Sequence, residues 1–252
     1  MELVVDPSLA AALGPVTREV SCKICPQRAA LHGVADFNKS CQIEQGRHFP
    51  LSGIPVWYHR CRGCGFVFSA QFDAWTPAMF RTHIYNAQYL MVDPDMKGTR
   101  AEIASHRLIA CARERNAANL LDFGGGEGHL ARILSAKGLV TRTWDPFLTD
   151  DEPPEAGIFD LVSCYEVLEH SPTPRETCAR ALSFLKPGGV MVFSTLSVDD
   201  LPRHSMDHWY IAPRNGHISI HTKRSLAILF GELGWRVRQV SPAVYMAVAA
   251  SG

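Results

Sequence analysis

Residues 120–128 read Leu-Leu-Asp-Phe-Gly-Gly-Gly-Glu-Gly, and this run constrains the chain more than any other. Apolar residues ending in Asp122 predict a buried strand, and a helix-forming run opens at His129. Glycine at 124, 126 and 128 lets the backbone adopt φ > 0 and approach a ligand with no Cβ in the way. The helix that follows aims unpaired N–H groups and a partial positive charge at the same point. A small ligand carrying a carboxylate or phosphate is therefore expected across a strand-to-helix turn of an α/β sheet.

The glycine spacing separates two ligand classes. A dinucleotide fingerprint needs G-x-G-x-x-G, whose third glycine allows close helix–strand packing. Counted from Gly124 and Gly126 that place falls on His129, so the fingerprint fails and the pattern is D-x-G-x-G-x-G from Asp122 to Gly128. Further along, strands are predicted at 119–123, 139–144, 159–164, 189–195, 234–240 and 243–249. Helices are predicted near 128–137, 173–185 and 222–233. Alternating β and α units imply a parallel sheet with right-handed crossovers. The last two strands are joined only by Ser241-Pro242 and should form an antiparallel hairpin. The segment 146–158 is too short for a helix plus another strand. Ahead of the sheet, a helix start is expected near Thr76, with Pro77 in its first turn. A helix is expected over Thr99–Arg115.

The N-terminal region is organised differently. Eight cysteines occur in the chain, and four fall into pairs, Cys22-x-x-Cys25 and Cys61-x-x-Cys64. The start of the chain has neither a basic segment nor an apolar core long enough for a signal peptide, and no run of roughly 18 apolar residues could cross a membrane. The expected setting is cytoplasmic. In a reducing compartment paired C-x-x-C units indicate a metal more often than disulfides. Four thiolates on two knuckles form a closed tetrahedral site for structural zinc, with the segments around Val56–Cys61 and Phe66–Phe68 as a hairpin. Iron on the same sulfurs, or cysteines without metal, stay open. The expected organisation is a zinc-binding module at 1–70, a helical linker or lid at 71–118, and the α/β domain at 119–252. Lys+Arg and Asp+Glu both number 25, giving zero formal charge. That balance disfavours a nucleic-acid partner.

The order of motifs resembles the class I S-adenosylmethionine (SAM)-dependent methyltransferases. The carriers are Asp122–Gly128, Thr143-Trp-Asp145-Pro, the run Phe159–Pro174 containing Tyr165-Glu166-Val-Leu-Glu169-His170, and Leu185-Lys-Pro-Gly-Gly. The resemblance implies a doubly wound Rossmann-like sheet of seven strands with one reversed. It also implies a cofactor site of Asp122, Gly124, Gly126, Gly128, Asp145, Tyr165 and Glu166, with Asp145 gripping the ribose. In the family an acidic residue after the third strand contacts adenine. The shortened segment leaves Asp150, Asp151 or Glu152 as substitutes, or a solvated loop. Fused to the cysteine module, the architecture is similar to bacterial methyltransferases that include sugar C-methyltransferases. A small-molecule acceptor, possibly a sugar or nucleotide-sugar, is the implied partner.

Methyl transfer requires alignment and, for a hydroxyl or acidic carbon, a general base. His217, His170 and Glu169 are the candidate catalytic residues, with His208, His221 and Tyr210 behind them. The stretch 207–221 is dense in histidine, aromatic side chains and arginine, and is expected to close over the site. Two other readings stay open. One is an RNA methyltransferase gripping its substrate through the zinc module, with Arg47, Arg60 and Arg62 as a patch; the other is a catalytically silent SAM-binding scaffold. The sequence leaves the oligomeric state undetermined.

Overall fold

The apolar runs and glycine breaks resolve into a regular series in the computed structural model, which describes residues 4–148, 151–200 and 206–250. In chain order the elements are α1 (Leu9–Ala12), β1 (Glu19–Ser21), β2 (Arg28–Asp36), β3 (Pro55–Cys61), β4 (Val67–Phe68), α2 (Pro77–His83), α3 (Tyr89–Val92) and α4 (Thr99–Arg115). There follow β5 (Asn119–Phe123), α5 (His129–Ala136), β6 (Val140–Trp144), β7 (Phe159–Cys164), α6 (Pro174–Ser183), β8 (Leu185–Ser194), β9 (Ser219–Ile220), α7 (Lys223–Glu232), β10 (Trp235–Ser241) and β11 (Val244–Ala249). The chain divides into two compact units interleaved in sequence. One takes the residues up to Pro94 with Glu169–Pro174 and Leu196–Ile228; the other takes Asp95–Leu168, Arg175–Thr195 and the residues from Leu229 on.

The second unit is built on a six-stranded sheet in the order β10-β11-β8-β7-β5-β6. Strands β6, β5, β7 and β8 are parallel, and β11 runs antiparallel to both β8 and β10. This is the parallel α/β sheet with one reversed strand that the sequence predicts. Among the described residues no strand lies between β6 and β7, so β6 forms the edge. The core joins Leu120, Leu161, Val190 and Val192 of the sheet to Leu108 of α4 and Leu134 of α5. Helix α4 packs against α5. It ends at Asn116 in the left-handed conformation, whose N–H reaches the carbonyls of Ala112 and Arg113, a common helix stop.

One element differs from expectation. Strand β8 starts at Leu185, where the sequence predicts a turn over Lys186-Pro-Gly-Gly. Leu185 pairs with Phe159 while Val190 pairs with Leu161, so residues 186–189 loop out within one strand. Lys186 pairs there with Asp160, whose carboxylate also accepts the N–H groups of Ala118 and Asn119, each at 2.9 Å.

The first unit is organised by an antiparallel sheet in the order β1-β2-β3-β4-β9. The expected hairpin is β3 and β4, with His59 opposite Phe68 and Arg60 opposite Val67. Phe66 and Phe68 stack at 5.1 Å, and Phe72, Trp75 and Phe80 form a second aromatic group. Helix α2 starts as its sequence dictates, with the Thr76 hydroxyl accepting the Met79 N–H and Pro77 in the first turn. Strand β9 comes from the histidine-rich stretch and pairs with β4 through Val67–Ile220 and Phe68–Ser219. Its extended form agrees with the alternation of Ile218 and Ile220. No helix among the described residues is long and apolar enough to cross a membrane.

Leu161 is fully buried in the central strand. Leu161→Ala should cost about 2–5 kcal/mol through lost transfer energy and the cavity left behind. The urea midpoint should drop clearly, and an unchanged midpoint would contradict this core.

Candidate functional site

At the carboxyl end of β5 the chain turns through residues 124–128. Gly124, Gly126 and Gly128 have φ of +70°, +56° and +75°, a region side chains other than glycine rarely enter. Gly125, unremarkable in the motif, is restricted for another reason. A Cβ there would stand 2.2 Å from Asp122 Oδ2 and 2.5 Å from Thr143 Oγ1. Helix α5 begins directly after this bend, with Gly128 at its cap and no side-chain capping bond.

Two carboxylates brace the bend. Asp145, at the tip of β6, accepts the Gly126 N–H at 3.0 Å on Oδ2 and the Phe147 N–H at 2.8 Å on Oδ1. Burial raises its pKa and those N–H groups pull against the rise. Asp122 is buried in β5 and receives the Ser163 hydroxyl at 2.8 Å on Oδ1. Its Oδ2 has no hydrogen-bond partner among the described residues. Burial pushes this carboxyl up to about 7, against the effect of Ser163.

Tyr165 and Glu166 lie just past β7. Tyr165 is largely buried, its hydroxyl has no hydrogen-bond partner among the described residues, and burial drives its pKa up to about 12. Glu166 holds φ of +53°, a conformation that costs a side-chain-bearing residue about 1–2 kcal/mol. Ser194, at the end of β8, holds it in place. The Glu166 N–H donates to Ser194 Oγ at 2.9 Å and that hydroxyl donates to Glu166 Oε1 at 2.6 Å. Strain of this kind gathers at ligand-binding positions. The seven residues expected around the cofactor thus all lie at the carboxyl ends of β5, β6 and β7 or in the bend after β5, where open α/β sheets bind ligands. Of the adenine candidates, Glu152 is exposed, Asp151 gives its carbonyl to the Trp144 indole N–H at 3.2 Å, and Asp150 lies outside the described residues. Gly125, Ser163 and Ser194 escaped sequence reasoning. Only the unbroken glycine run hinted at the first, because the crowding depends on β6.

In the first unit the four paired cysteines converge, every sulfur within 4.8 Å of the others. Cys22 and Cys64 are 3.7 Å apart and Cys25 and Cys61 3.4 Å apart. Four sulfurs at about 2.3 Å from a tetrahedral ion would be about 3.8 Å apart. Backbone N–H groups of Ile24, Gly63 and Cys64 point at the sulfurs of Cys22 and Cys61 at 3.3–3.4 Å. The donor set and its spacing fit a four-thiolate metal.

A second convergence joins Glu169, His170 and His217, all buried, with one donor atom of each within 4.8 Å of the others. Tyr210 holds it from two sides. Its hydroxyl donates to Glu169 Oε1 at 2.6 Å, and its carbonyl lies 2.9 Å from His217 Nδ1. His208 and His221 sit elsewhere. His208 Nδ1 accepts the Tyr210 N–H at 3.1 Å, and His221 packs on Phe66 with its ring 3.4 Å from Ser225 Oγ. Arg214, absent from the expected set, is almost wholly buried and donates to the Ile84 carbonyl at 3.0 Å.

A family described as a methyltransferase domain matches residues 96–240, more than half of the chain. The chain belongs to that methyltransferase-domain family. A ubiquinone biosynthesis O-methyltransferase of Cronobacter sakazakii is 33% identical over 93 residues, which is 36% of this chain and 38% of the relative. One from Aromatoleum aromaticum is 48% identical over 42 residues, 17% of this chain and 18% of the relative. The chain thus spans well under half the length of these curated relatives. Among solved structures, 1,6-didemethyltoxoflavin-N1-methyltransferase from Burkholderia thailandensis has a TM-score of 0.49 at 15% identity, covering 69% of this chain and 87% of that one. A SAM-dependent methyltransferase from Archaeoglobus fulgidus has a TM-score of 0.48 at 15% identity, covering 64% and 98%.

Asp145→Ala should weaken SAM binding at least tenfold by calorimetry, since it removes the carboxylate and frees the Gly126 and Phe147 N–H groups. Near-wild-type affinity would refute its role. Asp122 gives a pH signature. Its pKa lies near 3.9 in an unfolded chain and about 7 in the folded one, so the folded state binds more protons between these values. Its contribution to stability falls as pH rises across that window and is level above it. Asp122→Asn should therefore gain Tm relative to wild type between pH 4 and pH 8; a pH-independent difference would contradict the assignment.

Proposed function

We propose that this chain methylates a small-molecule acceptor, binding SAM with Asp122, Gly124, Gly126, Gly128, Asp145, Tyr165 and Glu166. The observation that carries the reading is the bend at 124–128, left-handed at three glycines and fastened to the Asp145 carboxylate at the next strand tip. The residues fit the cofactor. Left-handed glycines allow close approach, and a carboxylate at a strand end is the usual acceptor for ribose hydroxyls. When bound, the cofactor supplies a methyl group on a positively charged sulfur, which departs as a neutral thioether. The chain's own residues hold the donor, align the acceptor and take its proton. Glu169, His170 and His217 are assigned the last task, because they are the buried acid–base cluster of the histidine-rich stretch and the segment after Glu166.

The names of the curated relatives favour an oxygen nucleophile, and the resemblance of the cysteine module favours a sugar or nucleotide-sugar. Zero net charge supports a small molecule over nucleic acid. Cys22, Cys25, Cys61 and Cys64 are assigned a structural zinc ion. Four thiolates leave no open position for chemistry, and the ion would tie the knuckle at 22–25 to the one at 61–64.

A labelled-methyl assay over phenols, sugars, nucleotide-sugars and bulk RNA tests the reading. Transfer to one small-molecule class is expected; label appearing only in RNA would overturn the acceptor assignment. His217→Ala should cut turnover at least a hundredfold with SAM affinity unchanged. An unaltered rate would remove His217 from the mechanism.

A further inference from the structure

Beyond the cysteine site, we infer that Glu169, His170 and His217 form a second metal site, binding one divalent transition ion, zinc in the first instance. The inference rests on the cluster itself and deepens the acceptor role just proposed for it. Two imidazoles and one carboxylate are a donor set that suits zinc, iron(II) and neighbouring ions, and three protein ligands leave positions open.

The geometry is that of ligands around a common point. An imidazole nitrogen at 2.0–2.1 Å from an ion puts the ring centre about 3.2 Å away, so two ligating rings at right or tetrahedral angles have centres about 4.5–5.2 Å apart. The His170 and His217 rings are 4.9 Å apart with an interplanar angle of 74°. One carboxylate oxygen of Glu169 belongs to the same cluster of donor atoms.

The surroundings fix the ligands as metal sites require. A ligating histidine usually gives its other ring N–H to a carbonyl or carboxylate, which sets the tautomer and turns the remaining nitrogen to the ion. His217 Nδ1 lies 2.9 Å from the Tyr210 carbonyl, which leaves Nε2 as the ligand. The Tyr210 hydroxyl donates to Glu169 Oε1 at 2.6 Å, and the Tyr210 hydroxyl oxygen in turn accepts the Leu196 N–H at 3.1 Å. The Tyr58 hydroxyl holds the His217 carbonyl at 2.8 Å, and the Ile218 N–H holds that of Glu169 at 2.9 Å. Space is reserved for His170 as well. Gly216, at φ +87°, would with a Cβ crowd His170 Nδ1 at 3.0 Å. A divalent ion here would lower the pKa of an acceptor oxygen held in its open position, the proton leaving to solvent, so that the cluster would serve the acceptor through the ion and not as a free base.

The test uses the intact chain and the metal alone, with no methyl donor. Protein purified from zinc-supplemented culture is dialysed against a chelator until its metal content is constant, then titrated with cobalt(II). Two metal ions per chain are expected before dialysis and one, on the cysteines, after it. One further equivalent of cobalt should bind, with weak visible bands and no thiolate charge-transfer band. Glu169→Gln and His170→Gln should each lower that affinity at least a hundredfold while keeping the thiolate-bound ion. Tyr210→Phe should weaken it by about 10–100-fold, the range for groups that orient a ligand. A single metal ion per chain with no further cobalt uptake in the wild type, or uptake showing thiolate bands only, would overturn the site. Absence of turnover in doubly loaded protein would count against the acceptor reading and leave the metal site standing.

Discussion

The second unit depends on a place where side chains cannot be tolerated. Between β5 and α5 the backbone passes so close to Asp122 and Thr143 that a single methyl at Gly125 would overlap both. The same bend gives the Gly126 N–H to Asp145. The loop proposed to face the ligand is therefore tied to the second strand of the sheet. Preorganisation of this kind lowers the ordering cost of binding. A buried Asp122 whose proton is held up to about 7 is the electrostatic cost of that packing.

The first unit solves a different problem. Its buried groups include many polar ones, among them Glu169, His170, Arg214 and His217. Such groups are tolerated only when hydrogen-bonded or bound to a metal. Tyr210 links two of them, Tyr58 anchors the His217 backbone, and Arg214 satisfies the carbonyl of Ile84. The metal ions proposed for this unit would add coordination energy to those hydrogen bonds.

Much of this was legible in residue order. Helix α4 runs Thr99–Arg115 as its periodicity predicts, and Thr76-Pro77 starts α2, because caps and helical periods are local signals. The missing third strand was legible too, since the length of 146–158 forbids it. Pairing across long separations was not. Nothing in Ser219-Ile220 announces β4 as its neighbour, and nothing in Gly125 announces Thr143. The contact between Tyr210 and Glu169 likewise joins segments far apart in the chain. Leu185 joins β8 because a strand absorbs four looped-out residues, a bulge that local turn chemistry alone reads as an end.

The bend after β5 and the Asp145 carboxylate are together proposed as the seat of the methyl donor. Calorimetric titration of the metal-loaded chain with S-adenosylhomocysteine, the demethylated product, tests it most directly. One molecule should bind per chain with measurable heat, in competition with SAM. A flat titration with both compounds would contradict the account at its base.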